Sequence, residues 1–357
     1  MTVSTTRPSN QLAERGMPTL SDVAALAGVS KVSASVALNG AKSGTVLSDA
    51  TRQRILMAAE ELGYKRNGSM ASARVGRFGS VALLLSTDEN RSHLPARLWD
   101  GIHDELARHD LHLTVSRLPD EKLTDEGVVP KILREWMCDG LLIDYTNHIP
   151  QKMLDLIQGH QLPAVWINSQ QKSDCVYPDD LGAGRWVTEH LVKLGHTRIG
   201  YADFTYVPED PNEHYSGRAR RAGYVTAMEK AGFAPQILPY LAEAERSPFC
   251  RDLLRRNDAP TALICYGDIE TGLFMMAAAS LGKSIPRDVS LVSFVSPGAS
   301  LNGYLLSGAS LQQYEVGRRA AQLLREKIAR PMQAFDPQTI TFDWEEGQTC
   351  GLPRFTH

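Results

Sequence analysis

Cysteine is scarce in this chain, and its spacing excludes two kinds of structure. The five cysteines among 357 residues are odd in number, are scattered along the chain and form no CxxC pair. The sequence therefore predicts neither a disulfide framework nor a zinc site, and it indicates a reducing compartment. The ten histidines show no HExxH or comparable ligand spacing, so we expect no metal and no cofactor.

Long apolar runs and enzyme signatures are also missing. No stretch approaches the roughly 20 apolar residues that span a bilayer, and residues 1–17 lack the apolar core of a signal peptide. We therefore expect no membrane partner, a cytoplasmic location and a disordered tail at residues 1–17. The sequence has no GxGxxG after a strand, no P-loop and no GxSxG elbow, which predicts a protein that is not an enzyme.

What is present is a chain long enough for two or three domains, with an uneven distribution of charge. Residues 1–77 hold ten Lys/Arg and five Asp/Glu, a net charge of +5, whereas the whole chain carries −3, so residues 78–357 carry −8. A basic N-terminal part on an acidic body fits a protein that contacts phosphate at one end. Chance clustering on a solvated surface would give the same pattern.

Residues 19–39 predict two short helices around a tight turn. Thr19 and Asp22 have the spacing of a capping box, Gly28 stands where the first helix must end, and Ser30 can cap the second helix. In that second helix the inward residues are Ala34, Ala37 and Leu38, and the outward residues are Lys31, Val32, Ser33, Ser35 and Val36. A second helix presented in this way is how helix-turn-helix proteins enter the DNA major groove. A third helix, capped by Ser48 or Asp49, would close the core.

From Ser80 onward, short apolar runs alternate with amphipathic stretches about every 30 residues. The predicted strands are Val81–Leu85, Leu111–Val115, Leu141–Ile143, Ala164–Ile167, Ile199–Tyr201, Ala262–Cys265 and Leu291–Phe294, and the predicted helices include Arg97–Arg108, Gly184–Leu194, Ala219–Ala231 and Ile269–Leu281. This alternation predicts βαβ units, and hence an α/β core of two doubly wound, parallel-sheet lobes with a ligand cleft at the strand ends.

An ordered series of motifs along the chain resembles the LacI/GalR (lactose-repressor) family of bacterial transcription regulators. The matching residues are Asp22 to Ala24, Ala27 to Ser30, Leu38 to Gly40, Thr51-Arg52, Glu61 to Tyr64, Asn67, Leu194 to Ile199, Arg220 to Tyr224 and Val289 to Phe294. The resemblance implies a homodimeric repressor that binds a pseudo-palindromic operator in double-stranded DNA. It also implies control by a small-molecule effector, a sugar or a derivative, in the cleft. The alternative is a sugar-binding protein without DNA-binding activity.

The resemblance also implies a domain organisation. It gives a helix-turn-helix DNA-binding headpiece at 18–66, a hinge segment at 67–77 and a periplasmic-binding-protein-like effector-binding and dimerisation core at 78–357. Lobe 1 would hold about 78–178 and 310–336, and lobe 2 about 179–309 and 337–357, so that the chain crosses between lobes three times. The C-terminal segment has no heptad pattern, which favours a dimer over a coiled-coil tetramer.

The resemblance places the DNA contacts on the headpiece and the hinge. The candidate DNA-binding residues are Thr19, Ser30, Lys31, Val32, Ser33, Ser35, Val36, Asn39, Asn67, Ser69, Ser72 and Ala73. Val36 stands where family members often have an arginine, so it would offer only apolar contact to a thymine methyl, unless it turns inward as core. Ala73 stands at the position of a leucine that kinks DNA in the family. Either the DNA is bent less, or Met70 or Val75 wedges instead, or the segment is a plain flexible linker.

Five residues are candidates for effector binding by the same resemblance. Arg220 stands at the position of the family's ligand-gripping arginine, and Asn168 at the position of an effector-binding aspartate. Ser86 ends the first strand of the other lobe, facing the same cleft. Tyr177 could lie against a sugar ring or could pack between the lobes. Asp268 remains, but Gly267 replaces an asparagine and Val295 an aspartate. These losses predict either a non-standard effector or one that is not a classical sugar.

Overall fold

A computed structural model describes residues 18–39, 46–64, 78–87, 92–118, 138–146, 149–207 and 213–354. The chain separates into two compact units, residues 1–78 and 79–357. We describe each unit by itself.

The described residues of the N-terminal unit form the helices α1 (Leu20–Leu26), α2 (Lys31–Asn39) and α3 (Asp49–Leu62). The capping predictions are confirmed. The Thr19 and Asp22 side chains form the reciprocal capping box of α1, and Ser48 caps α3. Gly28 and Gly63 end α1 and α3 in the left-handed conformation that glycine adopts without strain. A small core joins the helices and comprises Val23, Ala24, Ala27, Ala34, Ile55, Ala58 and Ala59.

In the described residues of the second unit, two sheets of six strands each define lobe 1 and lobe 2. The sheet of lobe 1 has the order β13-β5-β4-β3-β1-β2, and all its strands pair in parallel. These strands are β1 (Ser80–Ser86), β2 (His112–Leu118), β3 (Gly140–Asp144), β4 (Ala164–Ile167), β5 (Cys175–Pro178) and β13 (Gln338–Ile340). The helices α4 (Ala96–Ala107), α5 (Gln151–Gly159) and α10 (Gln313–Ala329) accompany this sheet.

The sheet of lobe 2 has the order β14-β12-β9-β8-β6-β7, with β14 antiparallel to β12 and the other pairs parallel. Its strands are β6 (Ile199–Ala202), β7 (Gln236–Ile237), β8 (Ala262–Cys265), β9 (Ser290–Val295), β12 (Gly308–Ser310) and β14 (Asp343–Glu345). Its helices are α6 (Asp180–Lys193), α7 (Tyr215–Lys230), α8 (Glu243–Arg255) and α9 (Asp268–Ser280), and a hairpin of β10 (Ser300–Leu301) and β11 (Tyr304–Leu305) completes the lobe.

In each lobe two helices cross at an unusually short distance, and glycines make the crossing possible. A Cβ atom built on Gly101 in α4 would overlap the carbonyl oxygen of Tyr314 in α10, and one on Gly317 would overlap that of Leu98. In lobe 2, a Cβ on Gly184 of α6 would overlap the Arg220 carbonyl oxygen of α7. The backbone position of Arg220 therefore depends on a glycine in the neighbouring helix.

The predicted strands and helices named above are all present, and the three crossings between lobes are observed at 178–180, 310–313 and 340–343. One boundary was wrong: β13 pairs with β5, so the returning segment of lobe 1 extends to Ile340 instead of ending near 336. The cause is a three-residue edge strand with alternating partly exposed residues, which carries no apolar run.

No single helix in the described residues is long and apolar enough to cross a membrane; α1 and α2 meet that criterion only as a pair, by length and composition, and they are bent by 106°.

Candidate functional site

The two helices of the helix-turn-helix expose a polar surface at the start of α2. Ser30 caps α2, since its Oγ accepts a hydrogen bond from the Ser33 amide at 3.1 Å. Lys31 and Val32 directly follow that cap and are exposed. Thr19 is exposed too, but its hydroxyl group is already bonded to the Asp22 carboxylate at 2.7 Å. Lys31 and Val32 are therefore the described side chains of α2 that are most accessible to an external partner.

Val36 is predicted among the outward residues of α2, but its side chain does not point outward. Its side chain is 9% exposed, which agrees with the alternative that it turns inward. Ser33 and Ser35, on the same helix, are partly exposed. The helical periodicity allowed both directions for Val36, because it lies at the border between the buried and exposed faces of a nine-residue helix.

Several predicted contacts lie outside the described residues. These are the side chain of Asn39 and the hinge residues Asn67, Ser69, Ser72 and Ala73. The alternatives given for the hinge, which involve Met70 and Val75, stay predictions.

In the second unit, Ser86 ends β1, Asn168 follows β4, Tyr177 lies in β5, Arg220 lies on α7 and Asp268 begins α9. Arg220 on α7 is 8% exposed, and its Nε donates to Asp180 Oδ1 at 2.7 Å. Its guanidinium carbon lies over the rings of Phe294, at 4.1 Å from the centroid, and Tyr266, at 4.9 Å. Burial acts to lower the pKa of Arg220, but the Asp180 carboxylate leads the opposing contributions and the pKa is raised. The Arg220 guanidinium is therefore fully charged and fixed in position, and its N–H groups can donate to hydroxyl or carboxylate oxygens.

Asn168 and Tyr177 both contact a residue of the opposite lobe, Tyr215. The Tyr215 hydroxyl donates to Asn168 Oδ1 at 2.9 Å. The Tyr177 and Tyr215 rings meet edge to face, with centroids 5.7 Å apart. Burial raises the pKa of Tyr215, so that its hydroxyl group stays protonated and acts as the donor. The interpretation of Tyr177 as lobe packing is thus observed, and effector contact by Tyr177 stays a prediction.

Ser86 lies at the end of β1 and is fully buried. Its backbone amide donates to Ser92 Oγ at 2.8 Å, and Ser92 Oγ in turn donates to the backbone oxygen of Asp144 at the end of β3. The side chain of Asp144 is fully buried as well, and within the described residues neither carboxyl oxygen has a hydrogen-bond partner. Burial raises the pKa of Asp144 to about 8, so this cleft edge holds a carboxyl group that is largely protonated at neutral pH.

Asp268 opens α9 and is exposed, and it makes no hydrogen bond or ion pair within the described residues. The backbone amide of the preceding Gly267 donates to Glu270 Oε2 at 3.1 Å, so that a side chain of the first turn of α9 satisfies this amide. Val295, which ends β9, is buried. Two positions that carry polar side chains in the resembled family therefore supply no side-chain hydrogen bond here.

His214 stands before α7 and faces the same cleft. Its Nδ1 lies 2.7 Å from Ser216 Oγ, whereas its Nε2 is buried without a partner in the part of the chain that the structure describes. Burial and then the charge of Arg220 lower the pKa of His214 to about 4, so the imidazole is neutral at physiological pH.

Four residues at the cleft carry no motif in the sequence that predicts their position: Asp180, His214, Tyr215 and Tyr266. Asp180 is separated from Arg220 by 40 residues and pairs with it only in the folded chain. One signal was available: each of the four adjoins the end of a strand or the start of a helix, where cleft residues of doubly wound sheets come from.

Comparison with known proteins identifies both units. Residues 19–67 match the sequence model for bacterial regulatory proteins of the lacI family, and residues 188–350 match that for a periplasmic binding protein-like domain. Among curated proteins, the HTH-type transcriptional repressor PurR of Actinobacillus pleuropneumoniae serotype 3 (strain JL03) is 25% identical over 335 residues, covering 91% of this chain and 96% of that protein.

Solved structures show the same fold. The Lac repressor dimer bound to operator and the anti-inducer ONPF superposes with a TM-score of 0.72 at 20% identity, over 94% of this chain and 99% of that one. The complex of the transcriptional regulator CelR with cellobiose gives 0.60 at 22% identity, over 93% and 100%. With a lacI-type helix-turn-helix followed by a periplasmic binding protein-like domain, the chain is similar along most of its length to bacterial regulatory proteins of the lacI family, and it is a DNA-binding transcriptional regulator.

Proposed function

We propose that this regulator is a repressor that binds a two-fold symmetric operator as a homodimer and changes its DNA affinity when an effector enters the cleft. It acts on the chromosome in the bacterial cytoplasm, and its function includes no catalytic step. The observation that carries the proposal is the coexistence of a capped helix-turn-helix with an exposed α2 start and a two-lobed cleft built around Arg220.

On the DNA side, Lys31 and Val32 are the primary contacts in the proposal. Lys31 can reach a guanine or a phosphate, and Val32 can lie against a thymine methyl group. Ser30, Ser33 and Ser35 contribute hydroxyl groups from the same helix, and Thr19 contributes through the start of α1. Because Val36 is buried, we no longer assign it a base contact.

The effector that fits this cleft is an uncharged, hydroxylated molecule of the sugar type. Arg220 is already paired with Asp180, and His214 is neutral, so that neither of these two described cleft residues offers an unpaired positive charge to an anionic ligand. Arg220 Nη2 makes no hydrogen bond within the described residues, and it can fork onto vicinal hydroxyl groups together with Asn168 and Asp268. Sugar binding by the related CelR, seen in its cellobiose complex, supports this class.

The dimer requires a surface, and lobe 2 offers an apolar one. Ile269 and Met276 are seven residues apart on one face of α9 and are 56% and 61% exposed. Tyr304 on the adjoining hairpin is 41% exposed, and it lines a groove together with Met276 and Asn302. We call Ile269, Met276 and Tyr304 the apolar face and assign it to a second copy of this chain, as the two-fold operator requires.

The decisive experiment is selection from randomised duplex DNA with the purified full-length protein, followed by sequencing of the retained DNA. A two-fold symmetric site is expected. On that site, Lys31→Ala should weaken binding about tenfold or more. It should also reduce the slope of log affinity against log salt concentration by about one, as expected for the loss of one phosphate contact.

A matched control is Lys193→Ala, which removes an exposed lysine from a helix of lobe 2 and should leave binding unchanged. If no sequence is enriched at low salt, with or without a mixture of sugars, the proposed operator-binding function is wrong.

A further inference from the structure

Tyr215 connects the two lobes at the cleft. It is the first residue of α7 in lobe 2, and its side chain is almost fully buried. Its hydroxyl group donates to Asn168 Oδ1 at 2.9 Å, and its ring packs edge-on against Tyr177 at 5.7 Å between centroids. Asn168 directly follows β4 and Tyr177 lies in β5, both in the sheet of lobe 1. One side chain therefore makes a polar and an aromatic contact across the lobe boundary.

Both sides of this contact are held in place by the backbone. Asn168 has a φ of 52°, in the left-handed region that asparagine tolerates better than most residues, and its amide donates to the Val176 oxygen at 2.9 Å. On the other side, His214 caps α7 by accepting from the Ser216 amide, so that the orientation of the first turn is fixed. Because the partners are preorganised, little conformational entropy is lost when they meet.

The two lobe 1 residues that Tyr215 contacts are also candidates for effector binding. Asn168 and Tyr177 are two of the five residues predicted to bind effector, yet both are engaged by the opposite lobe. A second polar link nearby, Arg220 to Asp180, joins α7 to the start of α6 in the same lobe. Among the described contacts at the cleft, those of Tyr215 with lobe 1 therefore involve the groups that a ligand would otherwise use.

We propose that Asn168, Tyr177 and Tyr215 form an interlobe clasp that holds the two lobes together in the absence of ligand. The clasp is a conformational device of the core alone and does not depend on which DNA or effector the protein binds. Where an effector occupies Asn168 and Tyr177, it replaces the contacts of Tyr215 and so changes the relation between the lobes.

Hydrogen–deuterium exchange of the full-length, ligand-free protein tests the clasp. Tyr215→Phe removes only the hydroxyl group, and Asn168→Gly removes the acceptor while tolerating the left-handed backbone. Each variant should speed amide exchange several-fold in two segments on different lobes, 168–178 and 213–220, because loss of one hydrogen bond makes separation of the lobes more frequent. The double variant should exchange little faster than either single variant.

Tyr240→Phe is the matched control. Tyr240 is exposed on a loop of lobe 2 and makes no hydrogen bond within the described residues, so that its variant should exchange like the wild type. Faster exchange confined to 213–220 in Tyr215→Phe, or no change in either segment, would overturn the clasp. These results require no operator, and the DNA selection described above stands or fails separately.

Discussion

Asp144 is a buried carboxyl group that should make the stability of the core depend on pH. Its folded-state pKa is raised by burial to about 8, against about 3.9 in an unfolded chain. Between these values the folded state binds more protons than the unfolded state. The free energy of unfolding should therefore fall as the pH rises from about 4 to 8, by up to about 1.4 kcal/mol per pH unit from this residue.

Urea unfolding of wild type and Asp144→Asn across that pH range measures this contribution. Asparagine keeps the shape and stays neutral, so that the variant should gain stability relative to wild type as the pH rises, most of all near pH 8. Equal pH slopes for the two proteins would mean that Asp144 is not buried in the folded state.

Arg220 illustrates how a single residue can combine a structural and a functional role. Replacing it with methionine should leave the fully buried Asp180 carboxylate without its partner, at a cost of about 3–5 kcal/mol in the free energy of unfolding. The double variant Arg220→Met, Asp180→Asn should recover most of that loss, because no charge then stays unpaired. Chemical unfolding of the four proteins gives the coupling energy.

The exposed pair of Arg255 and Asp252 on α8 is the control for this cycle. Both side chains are more than half exposed, and Arg255→Met should change the stability by less than about 1 kcal/mol. A similarly small change in Arg220→Met would contradict the assignment of a buried ion pair.

At the residue scale, the sequence predicts where a cleft residue lies better than it predicts which side chain that residue contacts. Arg220 and Asn168 follow from their place in motifs and at strand ends, and both lie at the cleft. Their contacts could not be predicted, because the partners are distant in sequence. Asp180 is 40 residues from Arg220 and meets it within lobe 2, and Tyr215 is 47 residues from Asn168 and meets it across the lobe boundary. Periodicity left two orientations open for Val36 for a related reason: the burial of a side chain at the edge of a helix face depends on packing that periodicity does not specify, and here the inward orientation is observed.

At the element scale, the crossing of α4 and α10 gives a sharp prediction. Gly317→Ala would bring a Cβ atom against the Leu98 carbonyl oxygen, and backbone on both sides leaves no flexible group to move. We expect a loss of about 1–3 kcal/mol from overpacking, although alanine is the better helix former by roughly 1 kcal/mol. Thermal unfolding measures the difference.

Gly159→Ala is the matched control for this substitution. Gly159 ends α5, and a Cβ atom there would meet nothing within 4 Å. This variant should be unchanged or slightly stabilised, by up to about 1 kcal/mol. If Gly317→Ala is equally stable, the helices can separate at no cost and the close crossing does not constrain lobe 1.

The elements that were predicted from sequence share a strong periodic signal. The central strands such as β4 and β8 are fully buried apolar runs, and their observed bounds equal the predicted ones. The helix α8 was not predicted, because it is strongly polar and contains Pro248 in its first turns. The two-residue strands β7, β10 and β11 gain their regularity from pairing with neighbours, which a sequence window does not contain.

At the scale of the whole molecule, the alternation of strands and helices was sufficient for two parallel sheets but not for their boundaries. The first crossing between lobes agrees with the predicted position near 178, because a polar Pro178-Asp179-Asp180 sequence separates a strand from a helix. The last crossing was misplaced, since β13 is recognised only through its pairing with β5. Connections that return to an earlier sheet are determined by tertiary pairing, and the local sequence around them is uninformative.

The apolar face on lobe 2 yields the prediction that belongs to the whole molecule. If a second copy covers Ile269, Met276 and Tyr304, then Met276→Glu introduces two like charges at a two-fold interface and should convert the dimer to a monomer at micromolar concentration. Sedimentation equilibrium of the full-length protein measures the change. Affinity for a two-fold operator should fall by at least a hundredfold, because one headpiece then binds a half-site alone.

Met332→Glu is the control for charge alone, because Met332 is 75% exposed on lobe 1, outside the apolar face. It should leave both the dimer and the operator affinity unchanged. Normal circular dichroism of Met276→Glu would exclude misfolding, which is expected to be absent since the side chain is already 61% exposed. A Met276→Glu protein that remains dimeric and binds the operator normally would place the subunit interface elsewhere on the core, and the exposed apolar side chains of α9 would then need a different partner.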